Sequence, residues 1–488
     1  MNMKNLKYCL LLMTLMFSMQ FGQAQTADPK SILDKYLKVA AENNPGVKAS
    51  FTQYLAALQK VPQVGALPDP QASMNFFLQP MEQVSGNQMG SIGVMQMFPW
   101  FGTLKNAKSE ASLMAKAKYQ QFEADKADLF YRVKSSWYLL NKYNQEIKLA
   151  EENLSFLQSF EKLSLIKFQS PGLSSGRAQS GGVNQNSGSG SIDNKDKGNG
   201  MNGMNSGIQK PQSNQSGNSM PSGGSASMST GKSGLSDVLR IRMEILDQQN
   251  RLELLKDQLK TEQTNFNSLL NRNTGTEVLL TDTIERKELP VPILAVADSI
   301  MKNNPMLSMN EAESQSYAAM AEKSRKMGLP MIGLGVNYMV LQKQAGNMSM
   351  MNGKDMIMPM INFTIPIYRK KYKAMQKEAE LLQESAQLKS SDLKNSLQVQ
   401  YQQLMQDLRD ADRRMKLNRD QSELAKKTTS LLLTGYTTGT VDFEELIRMQ
   451  YKVLDYRYLG VEAVTDYNTA LARAEKLMNS FNDKGDLK

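Results

Sequence analysis

Apolar residues recur along this chain in two periods, and the changes of period mark its elements. Between Met331 and Tyr368 the period is two. Ile357, Pro359, Ile361, Phe363 and Ile365 fall on one face, and Met356, Met358, Met360, Asn362 and Thr364 on the other. Before them, Ile332, Leu334, Val336, Tyr338 and Val340 alternate with Met331, Gly333, Gly335, Asn337 and Met339. This predicts two strands joined by a polar loop that carries Met348, Met350 and Met351. An apolar face backed by Gly, Asn, Thr and Met is what a membrane-barrel strand turns to lipid and to lumen. Gln71–Leu78 and Met89–Phe98 predict a second such hairpin, with Ile92, Val94 and Phe98 opposite Met89, Ser91, Gly93, Met95 and Met97.

Elsewhere the spacing is three and four. Thr103 to Phe168 contains no proline, and Phe130, Val133, Trp137, Leu140, Ile147 and Leu154 keep a heptad register. At ~1.5 Å per residue such a helix spans on the order of 100 Å. Ser, Gly and Asn then supply 39 of the 65 residues from Ser170 to Gly234, with no aromatic among them. That composition cannot offset an ordering cost of ~1–2 kcal/mol per residue, so disorder is expected there. The heptad resumes with Val238, Ile245, Leu252, Leu259 and Phe266. The stretch is therefore expected to be an insert at the turn of a long helical hairpin.

The plan then repeats. Lys302-Asn303-Asn304-Pro305 echoes Glu42-Asn43-Asn44-Pro45, and Gly328-Leu329-Pro330 echoes Ala66-Leu67-Pro68. Short helices, a β-hairpin and a very long helical hairpin occur twice. The expected division is a first repeat at 25–272 (β-hairpin 71–98, helical hairpin 103–272, insert 170–234) and a linker at 273–292. A second repeat follows at 293–481 (β-hairpin 331–367, helical hairpin 370–480), then a tail at 482–488.

Composition narrows the chemistry. Leu6–Phe21 follows Lys4 and Lys7 and leads into Gly22 and Ala24, the pattern of a secretory signal over 1–24. The single cysteine, Cys9, lies inside it, and the chain has no histidine. No disulfide, no Ser–His or Cys–His pair and no usual zinc or haem site is expected beyond the signal. No cofactor is implied, and nothing converges on an enzyme. The formal charge of +10 comes from Lys and Arg mixed with Asp and Glu along the helices, which reads as solvated helix faces and not as a nucleic-acid surface.

The order of elements resembles the TolC family of outer-membrane channel proteins over nearly the whole chain. The resemblance is carried by the paired Asn-Pro turns, Leu67-Pro68-Asp69-Pro70, the Gln96–Gly102 stretch and Tyr436-x-x-Gly439 followed by Glu444-Glu445-Leu446. Ser236-Asp237-Val238-Leu239 stands in the matching place of the first repeat. The PDP and FPWFG motifs are most similar to the heavy-metal branch. The resemblance implies an α+β membrane protein: a homotrimer, four strands per chain, closing a 12-stranded barrel continued by a coiled-coil periplasmic tunnel. It also implies a periplasmic adaptor and an inner-membrane pump as partners, outer-membrane lipid around the barrel, and export without chemistry. Two departures stand out: no cysteine follows the signal, and the first hairpin tip carries the insert.

Two sets of residues are candidates for function. Asp237, Asp442, Glu444 and Glu445 lie near the helical turns, where threefold repetition would gather acidic charge into a periplasmic gate, with Arg240 and Tyr436 as latch partners. The bland alternative is carboxylates that complement helix dipoles. The second set is methionine, whose soft, neutral thioether favours Cu(I) and Ag(I). Met89, Met95, Met97, Met331, Met339, Met356, Met358 and Met360 all fall on the predicted lumen side. Its alternative is pliable filling, which suits Met243, Met405, Met415 and Met478 on the helices. Competing functions are drug, detergent or polypeptide export through the same kind of channel, and a periplasmic coiled-coil adaptor with no barrel.

Overall fold

The computed structural model describes residues 29–480 apart from 84, 170–233, 282, 290, 347, 349 and 439. The expected signal, the tail and all but the last residue of the expected insert lie outside the described residues, as do Met201, Met204, Met220 and Met228. Each half of the chain runs through the same order of elements. The first half has α1 (Pro29–Asn43), α2 (Pro45–Gly65), β1 (Gln71–Gln83), β2 (Gly86–Phe98), α3 (Thr103–Gln169) and α4 (Gly234–Leu269). The second has α5 (Ile293–Asn303), α6 (Pro305–Met327), β3 (Met331–Gln342), β4 (Met356–Thr364), α7 (Arg369–Thr438) and α8 (Phe443–Met478). Residues up to Asn153 and from Gln248 onward form one compact unit, and Leu154–Asp247 a second.

In the first unit, α1 lays Leu33, Tyr36, Leu37 and Ala40 onto Phe130, Val133, Trp137 and Leu140 of α3 and onto Phe266 and Leu269 of α4. Each buried Leu, Val or Phe side chain among them contributes ~1.5–3 kcal/mol by leaving water. A matching core joins Val296 and Ile300 of α5 to Leu404 and Leu408 of α7 and to Tyr467 and Leu477 of α8. The Asn-Pro turns are built alike. Asn44 Oδ1 accepts from the Gly46 and Val47 amides at 2.9 and 3.3 Å, while its Nδ2 donates to the Leu269 carbonyl at 2.9 Å. Asn304 Oδ1 accepts from the Met306 amide at 3.1 Å, and its Nδ2 donates to the Leu477 carbonyl at 3.2 Å. One asparagine thus starts a short helix and closes the end of a long one. The linker is held by two more: Asn141 Oδ1 takes the Thr281 amide at 2.8 Å, and Asn468 takes the Lys287 amide at 2.9 Å.

The long helices depart from a strict heptad. On α7 the buried spine reads Ala379, Ala386, Leu397, Leu404, Ala411, Asn418, Ala425 and Tyr436, sevens interrupted by two steps of eleven. Eleven-residue steps keep the stripe closer to the 3.6-residue turn of a straight helix, so supercoiling is weaker than unbroken heptads impose. On α3 the stripe drifts for the same reason: past Asn141 the next buried positions are Leu149, Ala150 and Asn153, while Ile147 is only half-buried. The second unit buries Leu157 and Phe160 of α3, and Val238 and Ile241 of α4. There Arg242 Nε donates to Glu161 Oε1 at 2.7 Å.

The strands form one antiparallel sheet in the order β1-β2-β3-β4. β1 is longer than expected, running to Gln83, because the register shift between Phe76 and Met81 absorbs Pro80 on an edge strand. The two hairpin turns touch: the Gly353 amide donates to the Ser85 carbonyl at 2.9 Å. A Cβ on Gly86, whose φ is +119°, would stand 2.6 Å from the Gln342 carbonyl oxygen, so only glycine closes the first turn there. No described helix is long and apolar enough to cross a membrane.

Candidate functional site

The sheet has two unlike faces, set by its register. Val94 pairs with Val336, which pairs with Pro359; Ile92 pairs with Tyr338, which pairs with Ile357. On the other face Met95 pairs with Gly335 and Gly335 with Met360, while Met97 pairs with Gly333 and Gly333 with Asn362. Met339 stands directly opposite Met356, and Asn337 opposite Met358. Met331 closes the row against Thr364. The two faces also differ in exposure. Ile357, Ile361 and Phe363 are 68%, 63% and 65% exposed, whereas Met356, Met358 and Met360 are half-buried. Among the described residues the strands make their extensive contacts only with one another, so this difference means that the sheet curls toward the methionine face.

Met89 leaves that face. β2 carries a bulge between Gln88 and Gly90, which pair with the consecutive residues Leu341 and Val340. The extra residue breaks the alternation, and Met89 is 39% exposed between Gln88 and Gly90, both buried. Strict period two, which places Met89 with Ser91 and Met95, is corrected here by one inserted residue.

Gly333 provides the closest approach on the methionine face. A Cβ at this position would lie 2.6 Å from the Met97 sulfur, 3.3 Å from the Met95 sulfur and 3.3 Å from Asn362 Cβ. Two thioethers therefore lie side by side over bare backbone. Asn362 Nδ2 donates to the Met95 sulfur at 2.7 Å, fixing one of the pair. The sequence placed Asn362 on this face but gave no sign that it binds sulfur, because the pairing spans three strands.

The helical turn of the second repeat lies in the first unit. α7 runs on to Thr438. The Gly435 carbonyl accepts from the Thr440 amide at 2.9 Å, and from the Thr438 and Thr440 hydroxyls. Tyr436 is 4% exposed, its ring edge-on to Phe443 at 6.5 Å, so it packs within the turn. Asp442 takes the N-cap position of α8 without a side-chain cap bond, and Glu444 and Glu445 are exposed in the first turn. In the second unit Asp237 sits in the first turn of α4 and is buried, while Arg240 is exposed. Deeper in the first unit, burial pushes the Glu146 carboxyl above its ordinary value, with Lys142 and Arg251 opposing it.

No family model matches the chain, and no curated relative matches it. Solved structures do match. The fold is that of TolC-family outer-membrane channels. The outer-membrane channel OprN aligns with a TM-score of 0.65 at 12% identity, over 93% of this chain and 90% of that one. The CmeC outer membrane channel of Campylobacter jejuni gives 0.64 at 12%, over 93% and 89%. CusC gives 0.60 at 14%, over 94% and 96%. At these identities the likeness is one of fold.

Proposed function

We propose that this chain is the outer-membrane channel of a tripartite efflux system, conducting substrate passively outward from a periplasmic adaptor and an inner-membrane pump. The observation that carries this reading is the sheet: four strands, an apolar face turned outward, and edges β1 and β4 with no partner strand among the described residues. In lipid such edges leave backbone groups unsatisfied, so a barrel needs further copies. Three chains give the twelve strands of the family architecture. A coiled-coil adaptor, the competing class, would give the exposed row of Ile357, Ile361 and Phe363 nothing to do. The test is an outer-membrane extract run with and without heating: a heat-sensitive trimer that opens ion-conducting pores in planar bilayers is expected. A monomer in the soluble periplasmic fraction would discard the channel.

Within this reading the cargo we favour is Cu(I) or Ag(I), because the inner curve of the sheet carries thioethers where a channel for hydrophilic solutes carries polar groups. The exposed acidic residues at the helical turn of the second repeat, Asp442, Glu444 and Glu445, would attract cations to the entrance. Replacing Met356, Met358 and Met360 with Leu, near-isosteric and sulfur-free, is expected to lower copper and silver resistance while leaving resistance to an organic dye unchanged. Equal loss for all three, or no loss, returns the cargo to drugs, detergents or polypeptides.

A further inference from the structure

We infer that Met95 and Met97 form a discrete seat for one soft monovalent cation, Cu(I) or Ag(I), on the bare backbone of Gly333. Both sulfurs come within 3.3 Å of the point where a Cβ on Gly333 would sit, and Asn362 Cβ borders the same point at 3.3 Å. A methionine used as filler packs against other apolar side chains. These two come up against the Gly333 backbone, and Met95 also takes the Asn362 amide. The Asn362 Nδ2–H bond to the Met95 sulfur takes one lone pair and leaves the other for a metal. Met360 is the available third donor, since it stands across Gly335 from Met95 with only glycine between them. Two strand spacings separate them, roughly 10 Å, a gap two flexible methionine side chains facing each other can close.

The surrounding face decides which ion the seat takes. Ser91, Gly93, Gly333, Gly335, Asn337 and Asn362 are all uncharged, so a hard cation meets no carboxylate there. Neutral thioethers hold Cu(I) and Ag(I) without a proton to displace, and let them go again. Binding to the seat does not require that the metal be cargo; only its physiological purpose rests on the reading above.

The test uses the full-length protein in detergent, labelled with 13C at the methionine methyls and titrated with Ag(I), and with Cu(I) under reducing conditions. The methyl resonances missing from Met95→Leu and Met97→Leu are expected to be the first to shift. The double variant should bind Ag(I) at least about tenfold more weakly. Gly333→Val, which leaves both sulfurs in the protein but fills their floor, should cause the same loss. Met348→Leu/Met350→Leu/Met351→Leu, on the exposed loop, should bind as the unmodified protein does. Heat stability of the oligomer confirms that each variant is assembled. Unchanged affinity in the double variant, or loss only in the loop variant, overturns the seat. Binding as described in a channel whose cells show no copper or silver phenotype upholds the seat and removes only the cargo reading.

Discussion

Asn44 and Asn304 show how much a single residue does here. Each accepts from the amides of the helix it starts and donates to the carbonyl end of a helix far away in sequence. Replacing either by Ala removes a cap and a tie together, each worth about 1 kcal/mol. Asn304 is the more buried of the two, so Asn304→Ala should lower the midpoint of thermal unfolding, read by helical circular dichroism, more than Asn44→Ala does. Asn304→Asp keeps the cap acceptor and loses the donor, and should fall between the unmodified protein and Asn304→Ala. The Asn-Pro pairs were legible in the sequence as helix boundaries. Their second bonds were not, because nothing local in residues 43–47 points to Leu269. The Asn362–Met95 contact escaped for the same reason.

At the scale of elements, the strands were the most legible part of the chain. Period two assigns a side to each residue from Met331 to Gln342 and from Met356 to Thr364, and the register keeps those sides together across the sheet. What period two cannot supply is the place where it fails. Met89 sits at a bulge that only the partner strand reveals. The helices were legible as helices, but their buried stripe follows steps of eleven as well as seven, set by which neighbours each turn meets. The outward face yields a prediction at this scale. In the proposed channel Val336→Lys, on the outward face midway along β3, would put a charge into lipid at about 2–4 kcal/mol near the bilayer midplane, and should abolish heat-sensitive trimer in the outer-membrane fraction. Asn337→Lys, on the inward face, should leave the trimer intact.

For the whole molecule, fold class was readable from the order of elements alone, because two hairpins of alternating residues between helices of 67 and 70 residues leave few other architectures open. The candidate sites were legible only in part. Acidic residues near helical turns could be named, but the packing of Tyr436 edge-on to Phe443 inside its own turn has no signature in the spacing. The touching hairpin turns have a consequence of another kind. Ser85 and Gly353 meet through one backbone bond, although 267 positions separate them. In the proposed channel those turns would be the cell's outward landmark, presented as one composite epitope. An antibody raised against either loop as a free peptide would learn half of that shape.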